Sequence, residues 1–433
     1  MNCEHALLLL MVPGLPLLLA IPVLRRQFPW SIYIALLPVV MLLISQANFE
    51  VELPWMFLGN SSLAVNELSR WWLAMSVVAW LVAATALYLF HDHDVDNSRL
   101  PTFFLLCLSG QLGAILANDI VSFFAFSSLM SYAFYGLMAD GGGAAAKRAG
   151  RVFLVMLVIA DIVLFEALLI AASATHDLEF SSIASGVEES TSFNLYLSLV
   201  FVGFALKAGF WPFHVWLPLA YASANRVTIL LLWIVPAATG LLGIIRWIPF
   251  GDIVVPVLGI LLQGIGVGAM LFALIFALRQ VQPGQIFAYA IIMVTGSIVA
   301  VMGISLADPV FWEQYGRWLP LGVTFIGWGL TAVIISPVWM RWRHTPADGN
   351  EELQWYERWP QAVLRQGGQA GYETLPGLYA SWSGKWRNFR FNQVWQRVLD
   401  VVERGLRLWT SAIVLFLLLA MLITIIHFGF QYG

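Results

Sequence analysis

Four titratable side chains stand inside stretches that are otherwise apolar. Asp161 and Glu166 interrupt VFLVMLVIADIVLFEALLIAA, Lys207 closes LYLSLVFVGFALK, and His214 follows seven residues later. An ammonium taken out of water loses affinity for its proton, and a nearby carboxylate restores it. A lysine–carboxylate pair in a dry site therefore holds a proton that small changes in spacing or hydration move. That is the chemistry of a proton relay, and it equally describes a static ion pair that fixes helix register. A histidine ordinarily titrates near neutrality, so His214 suits an onward step; beside prolines and aromatics it also suits a packed, hydrogen-bonded position. Pro212, between Lys207 and His214, lacks an N–H and clashes with the preceding turn, so a helix break is expected there. At membrane depth such a break is tolerated only where it is buried or faces a wet cavity.

The elements that must position these groups are long apolar helices. The chain has 433 residues, 60% hydrophobic and 11% charged, against roughly 25% charged in soluble domains. Runs of about 18 apolar residues recur, each able to cross roughly 30 Å of hydrocarbon. Backbone groups in lipid pair within their own segment, so the expected fold class is an all-α integral membrane protein. The expected spans are Leu7–Val23, Ser31–Ser45, Trp71–Phe90, Thr102–Leu116, Ile120–Met138 and Val152–Ala172. They continue with Leu195–Trp216, Val227–Trp247, Val254–Leu278, Phe287–Ile304, Leu319–Trp339 and Leu408–Phe428, about 12 transmembrane helices.

On this reading Asp161 and Lys207 fall at equal depth on consecutive helices, roughly 13 and 12 Å from the inner edge, with Glu166 about 7 Å further out. Equal depth predicts a direct or single-water contact between Lys207 and Asp161, with Glu166 as the alternative carboxylate. An ionisable group at such depth costs about 2.5–3.5 kcal/mol to insert and calls for a partner.

Basic residues set the orientation. Arg25, Arg26, Arg99, Lys147, Arg148, Arg151, Arg226, Arg279, Arg341 and Arg343 share one side with the basic residues of 345–407. The other side holds Arg70, Arg246 and Arg317 and an acidic loop with Asp177, Glu179, Glu188 and Glu189. Both termini are therefore expected outside, in a bacterial inner (plasma) membrane or an equivalent energy-transducing membrane. The first helix lacks a basic leader and is expected to be retained. Cys3 and Cys107 match no metal or redox spacing and read as packing residues. Gly141–Gly150 reads as an inner loop. Thr345–Arg407 reads as an inner segment in which Phe391, Val394, Trp395, Val398, Val401 and Val402 suit an amphipathic surface helix; a solvated linker is the alternative. The net charge of −3 offers no basic stripe for nucleic acid.

The run KAGFWPFHVWLP from Lys207 to Pro218, followed by LAYASA, resembles the seventh-helix signature of the antiporter-like membrane subunits of respiratory complex I, Mrp antiporters and membrane-bound hydrogenases. LANDIVSFFAFSSLMSY from Leu116, GLLGIIR ending at Arg246, and IFAYAIIMVTG from Ile286 are similar to other parts of that family. The resemblance covers about residues 70–305. It implies two inverted five-helix repeats, a glutamate facing the lysine, and further lysines along the membrane centre. Here the glutamate position falls at Ser128 and the next lysine position near Ala238, and the second repeat is shortened. The implied organisation is residues 1–99, N-terminal helices; 100–247, repeat 1; 254–339, an incomplete repeat 2; 340–407, the inner amphipathic segment; and 408–433, a C-terminal anchor.

Two functions follow as expectations. One is a proton- or cation-translocating subunit using Lys207, Asp161, Glu166 and His214; the other is a non-conducting scaffold derived from the same family. Expected partners are other membrane subunits of a hetero-oligomeric complex, the lipid bilayer, and protons or monovalent cations. No catalytic residue, metal or cofactor is expected, for want of a cysteine cluster or dinucleotide fingerprint. Any enzymatic role is at most that of a non-redox membrane subunit in an NADH:quinone oxidoreductase-like or hydrogenase-like complex.

Overall fold

The computed structural model describes residues 3–21, 28, 30–45, 48–53, 61–89, 99–139, 144–175, 178–188, 190, 192–224, 226–278, 283–316 and 318–335. The expected surface helix Phe391–Val402 and the expected span Leu408–Phe428 lie outside these residues.

The described chain is mostly helical. Helices α1 (Cys3–Leu19) and α2 (Trp30–Ser45) lead into a hairpin of β1 (Phe49–Leu53) and β2 (Ser61–Val65). Next come α3 (Glu67–Leu89), α4 (Leu100–Leu116), α5 (Ile120–Ala139) and α6 (Ala144–Ala174), then the short α7 (Phe180–Glu188) and α8 (Phe193–Ala208). After a break follow α9 (Trp216–Ser223), α10 (Arg226–Leu232), a π turn (Trp233–Ala237) and α11 (Ala238–Trp247). Helices α12 (Pro256–Ala277), α13 (Pro283–Ala307), α14 (Pro309–Tyr315) and α15 (Trp318–Ile335) complete it.

Among the described residues, six helices are long and apolar enough to cross a membrane: α3, α5, α6, α10–α11 taken through the π turn, α12 and α13. Five shorter apolar helices, α1, α2, α4, α8 and α15, coincide with other expected spans.

The hairpin, α7 and α14 lie where the sequence suggests only connections. Phe49–Leu53 reads FEVEL, and Val51 and Leu53 are buried while Glu50 and Glu52 are exposed, the period-two pattern of a half-buried strand. The hairpin is tied to the α4–α5 junction. The Ser62 N–H donates to Asp119 Oδ2 at 2.9 Å, and the Asn118 N–H to the Ser62 carbonyl at 3.0 Å.

Helix α6 packs against α5, α8 and α9, and α8 against α11. Pro236 sits inside the π turn. Its missing N–H opens the ladder, and carbonyls freed in an apolar interior need outside donors. They find them. Gln111 Nε2 donates to the Ile234 carbonyl at 2.6 Å, and Trp72 Nε1 donates to the Ala238 carbonyl at 2.8 Å. Trp80 Nε1 in turn donates to Gln111 Oε1 at 2.6 Å. Trp72, Trp80 and Gln111 are fully buried, so this network is one of the polar clusters inside a largely apolar core.

Candidate functional site: a buried lysine–carboxylate pair

Helix α8 brings Lys207 to its last turn, where the helix dipole favours a cation. The sequence suggests a helix running on to Trp216. It stops at Ala208 because Gly209 turns left-handed, with φ 72°, and its N–H closes back on the Ala205 carbonyl. Pro212 therefore lies inside the break and does not start it. Only glycine enters this conformation cheaply, and a Cβ at Gly209 would come within 2.9 Å of Trp216 Cζ2. Gly209→Ala is expected to lower the thermal unfolding temperature in detergent, with backbone strain alone worth roughly 1–2 kcal/mol. The control is Gly14→Ala, whose added Cβ meets nothing within 4 Å. An equal, negligible shift in both variants would remove Gly209 as the terminator.

Asp161 enters from α6. Its Oδ1 lies 2.8 Å from Lys207 Nζ, and the two side chains are 11% and 3% exposed. The direct contact expected from equal depth is present. Helix α5 supplies the rest: Lys207 Nζ donates to Ser127 Oγ at 3.1 Å and to Ser128 Oγ at 3.4 Å. The three ammonium protons thus meet three acceptors, the full capacity of a lysine. Ser128 Oγ donates in turn to Asp161 Oδ1 at 3.2 Å, and the Tyr132 side chain lies near enough to Asp161 to interact with it electrostatically. Lys207 Nζ lies 5.7 Å from the Phe124 ring centroid, within cation–π range.

Two buried charges cost several kcal/mol each to desolvate, which only close pairing and satisfied hydrogen bonds offset. The packing of α8 on α6 supplies that closeness. Gly203, one turn before Lys207, lies over Leu164 and the Ala160 carbonyl, and an added Cβ would meet Leu164 Cγ at 2.5 Å. The two residues flank Asp161, so the glycine draws the carboxylate and the ammonium together.

The other two expected residues are not part of this cluster. Glu166 is exposed on the outside of α6 and has no contact with Lys207, because five residues along a helix carry it away from Asp161. His214 lies in the break, so the two-turn spacing that would put it on the Lys207 face does not apply. It is buried, edge-on to the Phe272 ring at 4.9 Å and the Tyr289 ring at 6.5 Å. Its Nδ1 has no hydrogen-bond partner among the described residues. Ser127 and Tyr132 join the cluster without any motif to announce them. The available signal is a stripe on α5: Phe124, Ser128 and Tyr132 recur at four-residue spacing, which lines one face.

Residues 117–308 match the model of the NADH:quinone oxidoreductase/Mrp antiporter transmembrane family. Over that stretch the chain is similar to the antiporter-like membrane proteins. A subunit of a probable K(+)/H(+) antiporter from Rhizobium meliloti is 25% identical over 252 residues, 56% of this chain and 46% of the relative. A subunit of the NADH-quinone oxidoreductase from Maricaulis maris is 27% identical over 265 residues, 60% of this chain and 54% of the relative. The chain thus spans about half the length of these antiporter-like relatives. In fold it is similar to a protein of the Mrp complex from a Dietzia species, with a TM-score of 0.66 at 19% identity, over 76% of this chain and 37% of that one. The matched stretch is thus similar to antiporter-like membrane proteins in sequence, and the described chain shares the fold of one of them. Ser128, at the family's glutamate position by the resemblance, hydrogen-bonds Asp161 here, so a carboxylate does reach the lysine, from the next helix. Ala238, at the next lysine position, is fully buried and uncharged.

Proposed function

We propose that this chain is a subunit of a larger membrane complex and translocates protons or monovalent cations through Lys207 and Asp161. The observation that carries this reading is the 2.8 Å buried contact between them, set beside the break that follows Ala208. Asp161 stands about 26 Å from one end of α6 and about 20 Å from the other, which favours a position near the membrane centre. The Lys207 ammonium can pass a proton to Asp161 or to water admitted at the break, and the Ser127 and Ser128 hydroxyls both donate and accept. His214, in the same break and with an unused buried Nδ1 among the described residues, is the proposed onward acceptor. With basic residues concentrated on one side, both termini face outward, and the membrane is a bacterial inner or equivalent energy-transducing one.

A scaffold that conducts nothing is the second reading. It is favoured by Ala238, whose carbonyl is held by Trp72 where a charge would continue the path. Lys207→Met separates the two: conduction predicts an assembled complex without ion-coupled activity in sealed vesicles, and a scaffold predicts full activity from whatever assembles.

A further inference from the structure

The outer face of α6 carries a charge where lipid would be expected. Ile159, Ile162 and Leu169 are 44%, 56% and 41% exposed. Glu166 is exposed among them, and the spacing of three, four and three residues makes one continuous stripe. Glu166 lies about 33 Å along α6 from Ala144 and about 12 Å before Ala174, within the hydrocarbon thickness. It has no partner among the described residues. Contrast the outward face of α12, where Val257, Ile260, Leu261, Val267, Leu271 and Leu274 are exposed without a titratable neighbour. That face is what lipid tolerates; the α6 face is not, since an intramembrane carboxylate calls for a partner.

We infer that the Ile159–Leu169 stripe of α6 is the docking face for a transmembrane helix of a different subunit. That helix carries a lysine, an arginine or another hydrogen-bond donor at the depth of Glu166. Charge complementarity selects this occupant over a second copy of the chain, because a two-fold contact through one stripe sets Glu166 against itself. The inference rests on the chain being a subunit of a larger complex, and it holds whether or not Lys207 conducts.

The test uses the full-length chain in its native membrane. Dicyclohexylcarbodiimide enters lipid and modifies protonated, accessible carboxyls, so Glu166 should be spared in intact membranes and labelled once the complex is dissociated. Glu166→Leu should reduce the chain recovered in the high-mass band on native gels by roughly tenfold or more, as expected for an interfacial charge left unpaired. Glu166→Gln, which keeps an acceptor, should lose less. Labelling of Glu166 in intact membranes overturns the inference, as does normal assembly of Glu166→Leu or an assembly made of this chain alone. A wild-type chain that migrates singly overturns the subunit reading as well, which distinguishes the two failures.

Discussion

Lys207→Met is expected to leave the chain in its complex and to abolish ion-coupled activity. Methionine keeps an unbranched, flexible apolar stem that fills the same channel between α5, α6 and α8. What it removes is the group that carries the cluster's positive charge. A proton in transit then has no basic acceptor, and loss of such a group from a transfer step lowers rates by roughly a hundredfold or more. Stability should fall by less than the 3–5 kcal/mol typical of a broken buried pair. Asp161 keeps Ser128 as a donor and can take up a proton itself. Asp161→Asn is the harsher single change, because it leaves a buried ammonium with neutral acceptors and no counter-charge. Combining the two changes neutralises the site, so assembly should recover while activity stays absent. Full ion-coupled activity in vesicles carrying the double variant would sink translocation through this pair and leave the scaffold reading in place.

The membrane-helix architecture is legible because hydropathy alone dictates it: an apolar run of span length has no soluble alternative. The Lys207–Asp161 contact is legible for a related reason. Only depth is needed, and depth follows from counting residues along straight helices. Where the chain is not a straight helix, counting fails. Gly209 ends α8 before Pro212, so His214 does not follow Lys207 around a helix face. Glu166 does not serve as the alternative partner, because depth says nothing about which way a side chain faces. Five residues beyond Asp161 is a turn and a third of helix, and that rotation carries the carboxylate to the outside. Ser127 stays hidden in the sequence because a small hydroxyl on an apolar helix is usually satisfied by a carbonyl of its own helix, as Ser131 is by the Ser127 carbonyl at 2.7 Å. The hairpin is hidden too, since five alternating residues are too few to stand out in a chain dominated by long apolar runs.

The close approach of α8 to α6 should be the most sensitive packing feature of the site, and Gly203→Leu tests it. Its Cβ alone would stand 2.5 Å from Leu164 Cγ and 3.5 Å from the Ala160 carbonyl, so the helices must part or Leu164 must move. Overpacking of a tight core costs about 1–3 kcal/mol. Here parting also draws Asp161 away from Lys207, because Ala160 and Leu164 flank the carboxylate on α6 and Gly203 lies one turn before the lysine on α8. The expected result is a lower unfolding temperature in detergent together with loss of ion-coupled activity, although no polar atom has been touched. Leu164→Ala alone should cost about 2–5 kcal/mol as a cavity. Added to Gly203→Leu, it makes room for the new side chain, so the two changes should be strongly non-additive and the double variant more stable than either effect summed predicts. Activity should return with that stability, since the helices can close again and restore the contact. If the double variant regained stability and remained inactive, helix spacing would not govern the pair. If the two changes simply added, α8 and α6 would not meet at these residues.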